Sequence, residues 1–171
     1  MNTSDLLLTT YENMLGALDN WLVKTAEHEG GDALLQQRLA PDMFPLACQI
    51  RFVCNLPGET LARVAAISFT SSDEDDLTLA AARERIARTR EQVASWRNVV
   101  VQGGGEMVEL ILPVGLTFNM DTTAYVRDWA LPQFYFHLVS AYAILRAAGV
   151  PLGKADYVGH MARYIRQPPS A

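Results

Sequence analysis

A glutamine and a histidine four residues apart, Gln133 and His137, share one face of an otherwise apolar stretch, ALPQFYFHLVSAYAILRAAG, from Ala130 to Gly149. The amide offers a donor and an acceptor, and neutral imidazole offers one of each, so the pair suits a small polar ligand held by hydrogen bonds. A core histidine bonded to a tyrosine or to backbone is the other reading of His137, and both stand at this point. Metal chemistry needs more. Zinc takes three or four N, S or O protein ligands; His137 and Asp42 supply two, nothing supplies the rest, and neither a metal nor another cofactor is expected. Tyr135 and Tyr142, seven apart beside the His137 face, can line a pocket mouth, meet a second subunit or pack at the core boundary. Cys48 and Cys54 are six apart, which fits neither a redox CxxC pair nor a metal knuckle. On one helix they diverge, so they read as small buried hydrophobes without a cation or base to activate them.

These residues must be held by helices. In the stretch that opens the argument, Leu131, Phe134, Leu138, Ala141, Leu145 and Ala148 recur at intervals of three and four. Pro132 stands just inside the start and Gly149 just past the end, the places where each is favoured. The spacing predicts a first helix over 4–28, striped by Leu7, Tyr11, Met14, Leu18 and Leu22 and stopped by Gly30-Gly31. His28 lies at that end, where an imidazolium meets the helix dipole favourably. A second helix starts near Pro45, with Asp42 placed to cap it, and carries Gln49 beside its buried face. Pro57 falls within it, so one kinked helix to about Ala66 is expected, with Asn55 helping to satisfy the carbonyl freed near Val53. SSDEDD (71–76) reads as a solvated acidic turn able to cap the next helix, whose stripe runs Leu79, Ala82, Ile86, Thr89, Val93, Trp96. Arg83, Arg88 and Arg90 read as its solvated face. Two alternating runs, MVELIL and LTFNM, flank Pro113-Val114-Gly115 as a β-hairpin. Asp121 or Thr122 caps a helical segment leading to Pro132. Asp156 and Lys154 read as ties for the C-terminal segment.

The bulk composition narrows the class. With 14 Lys plus Arg against 19 Asp plus Glu, the net charge of −5 argues against a general nucleic-acid surface. No apolar run is long enough to span a bilayer, so no membrane partner is expected. The first residues lack the basic region of a secretory signal, and the cytoplasm is the default location. A length of 171 residues fits one helical-bundle domain over 1–160 with a C-terminal tail over 161–171, frayed after Pro168-Pro169.

At LAPDMFPLACQI and ALPQFYFHLVSAYAILRAAGVPLGKADYVG the chain resembles the DUF1993 family, within the DinB/YfiT-like superfamily of four-helix metalloenzymes. The resemblance covers about residues 5 to 159. It implies an all-α, up-down-down-up four-helix bundle with a long crossover between the second and third helices, and commonly a homodimer. The small hairpin then falls between the third and fourth helices. In the metal-binding relatives, some of them thiol-dependent transferases, one histidine on the second helix and an HxxxH pair on the last hold a divalent ion. Those positions correspond to Gln49, Gln133 and His137 here, and Asn55 stands where the family more usually has Asp. Three functions follow as expectations: a bundle binding a small polar ligand between its helices, a metal-assisted thiol-dependent transferase or hydrolase, or a dimeric structural or interaction protein with no internal site. A polar cavity with unsatisfied donors marks the first, three convergent ligands the second, and a filled core under a large apolar exterior patch the third.

Overall fold

The computed structural model describes residues 3–99, 101 and 105–166, so Gly103, Gly104 and the Pro168-Pro169 tail lie outside the described residues. Four long helices carry the fold: α1 (Thr3–Ala26), α2 (Leu46–Val64), α3 (Leu79–Ser95) and, after the hairpin, α5 (Leu131–Ala147). The apolar stripes of the sequence become the core. Leu7, Tyr11, Leu18 and Leu22 of α1 meet Ile50 and Val53 of α2, Ile86 of α3, and Phe134, Leu138 and Leu145 of α5, all buried. Gly30, at φ +105°, ends the first helical region, and Gly149, at φ +88°, ends α5; both conformations strain any residue with a Cβ.

Pairings between helices show their directions. Asp19 of α1 meets Arg83, whereas Glu12 meets Arg97 beyond the end of α3, so α1 and α3 are antiparallel. Tyr11 packs edge-on against Phe134 and Trp21 against Tyr142, so α1 and α5 run the same way. The start of α2 is tied to the turn that follows α1 by Leu46 N–H donating to Gln37 C=O, and Tyr11 donates to Thr60 near the far end of α2. The bundle is therefore up-down-down-up, and the segment 65–78 must travel back along its length to begin α3.

That crossover is a strap, bonded to α2 from Ser71 to Asp75 and to α3 at Asp76. It leaves α2 at Ala66, whose φ of 52° places an alanine in the left-handed region. The Phe69 ring then lies so close to Gly58 that a Cβ there would come within 2.2 Å of it. Ser71 donates to Glu59, Arg51 reaches Asp75 at 2.6 Å, and Arg85 forks onto both oxygens of Asp76 at 2.6 and 3.1 Å. The acidic turn is exposed over 73–75, as expected, but its expected capping of α3 is corrected. The acidic run is pinned by arginines, while Thr78 caps α3 through Ala81 N–H and Asp32 accepts from Leu79 N–H.

Asn55 departs from expectation in the same way. Its amide oxygen accepts from Ser72 N–H at 3.1 Å and its amide nitrogen donates to Ser72 C=O at 2.9 Å, an imitation of a strand pairing. It serves the strap and not the carbonyl of Val53. The helix itself is continuous through Pro57, without a fresh N-cap at Asn55 or Leu56. A proline in a regular helix interior costs roughly 3 kcal/mol, but this core is already shaped around it. Pro57→Ala is therefore expected to change stability by no more than about 1 kcal/mol either way. Urea denaturation checks this, and a gain of about 3 kcal/mol would show that the strain is unrelieved in the native state.

The hairpin forms as its alternation predicts. β1 (Met107–Ile111) pairs antiparallel with β2 (Thr117–Asp121), Glu109 opposite Asn119, around a turn in which Gly115 has φ +82°. Val108 and Leu110 bury one face of β1. Asp121 caps α4 (Thr122–Ala124) by accepting from Ala124 N–H at 2.8 Å. A π-helical turn, Tyr125–Ala130, then joins α4 to α5. α6 (Lys154–Tyr157) closes over the end of α1. There Asp156 bonds Lys24 at 2.6 Å and its carbonyl accepts from Trp21 Nε1–H, so the tie is Asp156 with Lys24 rather than Lys154.

Candidate functional site

Gln49 and His137, 88 residues apart in sequence, meet across α2 and α5. The Gln49 amide nitrogen donates to Phe44 C=O at 3.1 Å, which leaves its oxygen as the acceptor facing His137 Nδ1 at 2.8 Å. The proton of the neutral ring is thereby assigned to Nδ1, and Nε2 is left as an acceptor. The ring is flanked by Phe52, with centroids 4.5 Å apart, and edge-on by Phe136 at 5.2 Å. Burial pulls the His137 pKa down to about 4, so the imidazole is uncharged at neutral pH. The partner of His137 is therefore a glutamine, and not the tyrosine or backbone group of the core-histidine reading.

The other candidates do not converge on this pair. Gln133, one turn earlier on α5, lines an open hollow of about 400 Å³ with Asp128, Trp129, Pro132 and Phe136. Asp42 is exposed, and the start of α2 has no side-chain cap, so its expected capping role is corrected. Tyr142 joins an aromatic trio with Trp21 and Tyr157, at 5.3 and 5.9 Å, on the side of α5 that faces α1. Tyr135 packs edge-on to Phe134 at the boundary of the core. Of the three open readings for these tyrosines, boundary packing describes Tyr142.

Divalent-metal binding depends on the donors present. The three superfamily positions hold one imidazole and two neutral amides, and the Gln49 oxygen is spent on His137 Nδ1–H. Among the described residues no three His, Cys, Asp or Glu side chains converge. This donor set does not fit zinc. The cysteines are both free and buried. Burial pushes the Cys54 thiol up to about 12. Cys48 has a cation that sequence reasoning missed, Arg51 Nη2 at 3.2 Å, although its spacing of three on one helix was visible. Burial still raises the Cys48 pKa, and Arg51 is committed to Asp75 and Ser72, so the thiol is not activated.

What sequence reasoning did not find is an aromatic face on the outside of α2 and α5. Phe44 packs on Phe52, Phe52 on His137 and His137 on Phe136. The hollow then leads from Phe136 to Trp129, which packs on Phe118 of the hairpin at 6.2 Å. Phe44 is 56% exposed, Phe136 59% and Val139 45%, a concentration of apolar surface that water does not favour. Its signal was present: FYFHLV puts apolar residues on every side of α5, more than one buried face requires. No described helix is long and apolar enough to cross a membrane, so that excess is not a membrane span.

Comparison with known proteins accords with this architecture. The crystal structure of a DinB family member protein from Shewanella denitrificans is similar to this chain, with a TM-score of 0.73 and 27% sequence identity over 98% of this chain and 94% of that one. A comparison with curated proteins finds no match. The family described as a domain of unknown function, DUF1993, matches residues 4–158. A match over nearly the whole chain, on a DinB-like bundle with its small hairpin, means that the chain belongs to the DUF1993 family.

Proposed function

We propose that this protein is a self-associating interaction module, which pairs with a second copy through the aromatic face of α2, α5 and the hairpin. The carrying observation is the contiguous run from Phe44 through Phe52, His137 and Phe136 to Trp129 and Phe118, much of it exposed. The internal polar pair is meanwhile closed by its own hydrogen bond, so the core offers no unsatisfied donor there. A face that is self-complementary by a two-fold axis is the commonest way to cover such a patch, and the resemblance also implies a homodimer. A small ligand is the second reading, favoured by the hollow beside Gln133, which suits an apolar body with one hydrogen-bonding group better than a polar molecule between the helices. Two free, buried thiols accord with a reducing location such as the cytoplasm.

Light scattering at micromolar concentration tests the pairing. The expected mass is twice that of one 18.9 kDa chain, falling to one chain in Phe136→Asp with unchanged helical circular dichroism. A mass near 18.9 kDa for the unsubstituted protein overturns the proposal. Elemental analysis of the same untagged sample addresses the transferase or hydrolase reading: about one zinc or nickel per chain, lost in His137→Ala, would restore it.

A further inference from the structure

On the opposite side of the bundle, α1, α3 and the 3-10 turn at Gly159–Tyr164 enclose a groove that the aromatic face does not touch. Arg83, Arg90 and Arg97 recur every seven residues, so their side chains fall along one edge, toward α1. Because α1 runs antiparallel, its facing positions fall in number as the arginines rise. The first rung is closed, Arg83 donating to Asp19 at 2.8 Å, and so is the last, Arg97 with Glu12. The middle rung faces a glycine. A Cβ at Gly16 would lie 3.7 Å from Arg90 Nη2, and among the described residues Arg90 has no carboxylate partner. The groove opens at that point, with a volume of about 320 Å³, and Asn13, Asn20, His160 and Arg163 also line it. His160, one of these lining residues, has its Nδ1 buried without a hydrogen-bond partner among the described residues. Glu12, the carboxylate among the lining residues, is already held by Arg97.

We infer that this groove binds a small molecule through a phosphate or carboxylate group, which supplies the negative charge absent from the middle rung. Guanidinium groups recognise such oxyanions by paired N–H donors, and two of them, Arg90 and Arg163, converge here without carboxylate partners among the described residues. The amides of Asn13 and Asn20 add neutral donors, and the volume is that of a small-ligand cleft. Arg90 is exposed, as its reading as solvated surface has it, and the proposed role adds to that reading, while Arg83 and Arg88 keep partners in Asp19 and Glu84.

Calorimetric titration with inorganic phosphate and, separately, succinate tests the site. At least one is expected to bind saturably, about tenfold more weakly in Arg90→Gln and in Arg163→Gln, as loss of a charge-assisted hydrogen bond requires. Gly16→Glu should abolish binding by placing a carboxylate on the open rung from within; glutamate also suits a helix interior better than glycine, so this variant is expected to fold. Arg83→Gln, on a closed rung, should retain the affinity. Binding of phosphate alone assigns a phosphoryl ligand, of succinate alone a carboxylate, and of both a general oxyanion site. Absence of saturable binding by either, or full affinity in both Arg90→Gln and Arg163→Gln, overturns the inference.

Discussion

Asn55→Leu is expected to destabilise the protein by about 2–4 kcal/mol and to loosen the 65–78 strap before the helices. Both functional ends of the Asn55 amide are used on one residue, accepting from Ser72 N–H at 3.1 Å and donating to Ser72 C=O at 2.9 Å. Leucine removes both bonds and leaves the Ser72 N–H without that acceptor. The carbonyl keeps Arg51 Nη1 at 3.3 Å, so the loss is smaller than for two orphaned groups. Asn55→Asp should fall between, because a carboxylate still accepts from Ser72 N–H but repels its carbonyl. Urea denaturation gives the magnitude, and amide hydrogen exchange at Ser72 gives the location. A loss below about 1 kcal/mol, with Ser72 still protected, would mean that the arginine pairs with Asp75 and Asp76 hold the strap without Asn55.

The second large effect is a loss of stability in acid that traces to His137. Its folded pKa is lowered from 6.5 to about 4 by burial. Unfolded chains therefore take up a proton below about pH 6.5 while the folded protein does not, and stability falls from there down to about pH 4. The contribution is full above 6.5 and spent below 4. The ring is only partly enclosed, so after discounting for solvent screening the expected loss is on the order of 1–2 kcal/mol. Protonation need not break the bond to Gln49, since Nδ1 is the donor in either charge state; the penalty lies in burying the charge between Phe52 and Phe136. His137→Gln should flatten the dependence between pH 6.5 and 4. An NMR titration of the ring checks the cause directly, and a midpoint near 6.5 would remove it.

Much of this fold was legible because its determinants are local. The stripes of α1, α3 and α5, the glycine stops at Gly30 and Gly149, and the alternation on either side of Pro113-Val114-Gly115 each report a conformation through residues a few positions apart. The continuity of α2 through Pro57 was readable for the same reason, since apolar spacing persists on both sides of the proline. Where the reading failed, a side chain had been given a nearby task and took a distant one. Asn55 was assigned to its own helix and instead holds Ser72; Asp42 was assigned as a cap and stands exposed; of the acidic run, Asp75 reaches Arg51 on α2, while Asp76 meets an α3 side chain, Arg85, without capping the helix.

The site divides along the same line. From residue types alone, His137 and Gln133 were singled out, and a shortage of metal ligands was evident, because chemistry and spacing along one helix need no partner to be counted. Tertiary packing decided everything that depends on two helices at once. It put Gln49 against His137 and so engaged both the oxygen and the nitrogen of that glutamine's amide, turned Gln133 outward into the hollow, and joined Phe44 to Phe136 as one face. It also aligned three arginines with α1 so that two met carboxylates and the third met a glycine. The heptad spacing of the arginines was in the sequence, but which rung would lack its charge depended on the direction and register of α1, and those are set by burial of the two apolar stripes rather than by any polar residue.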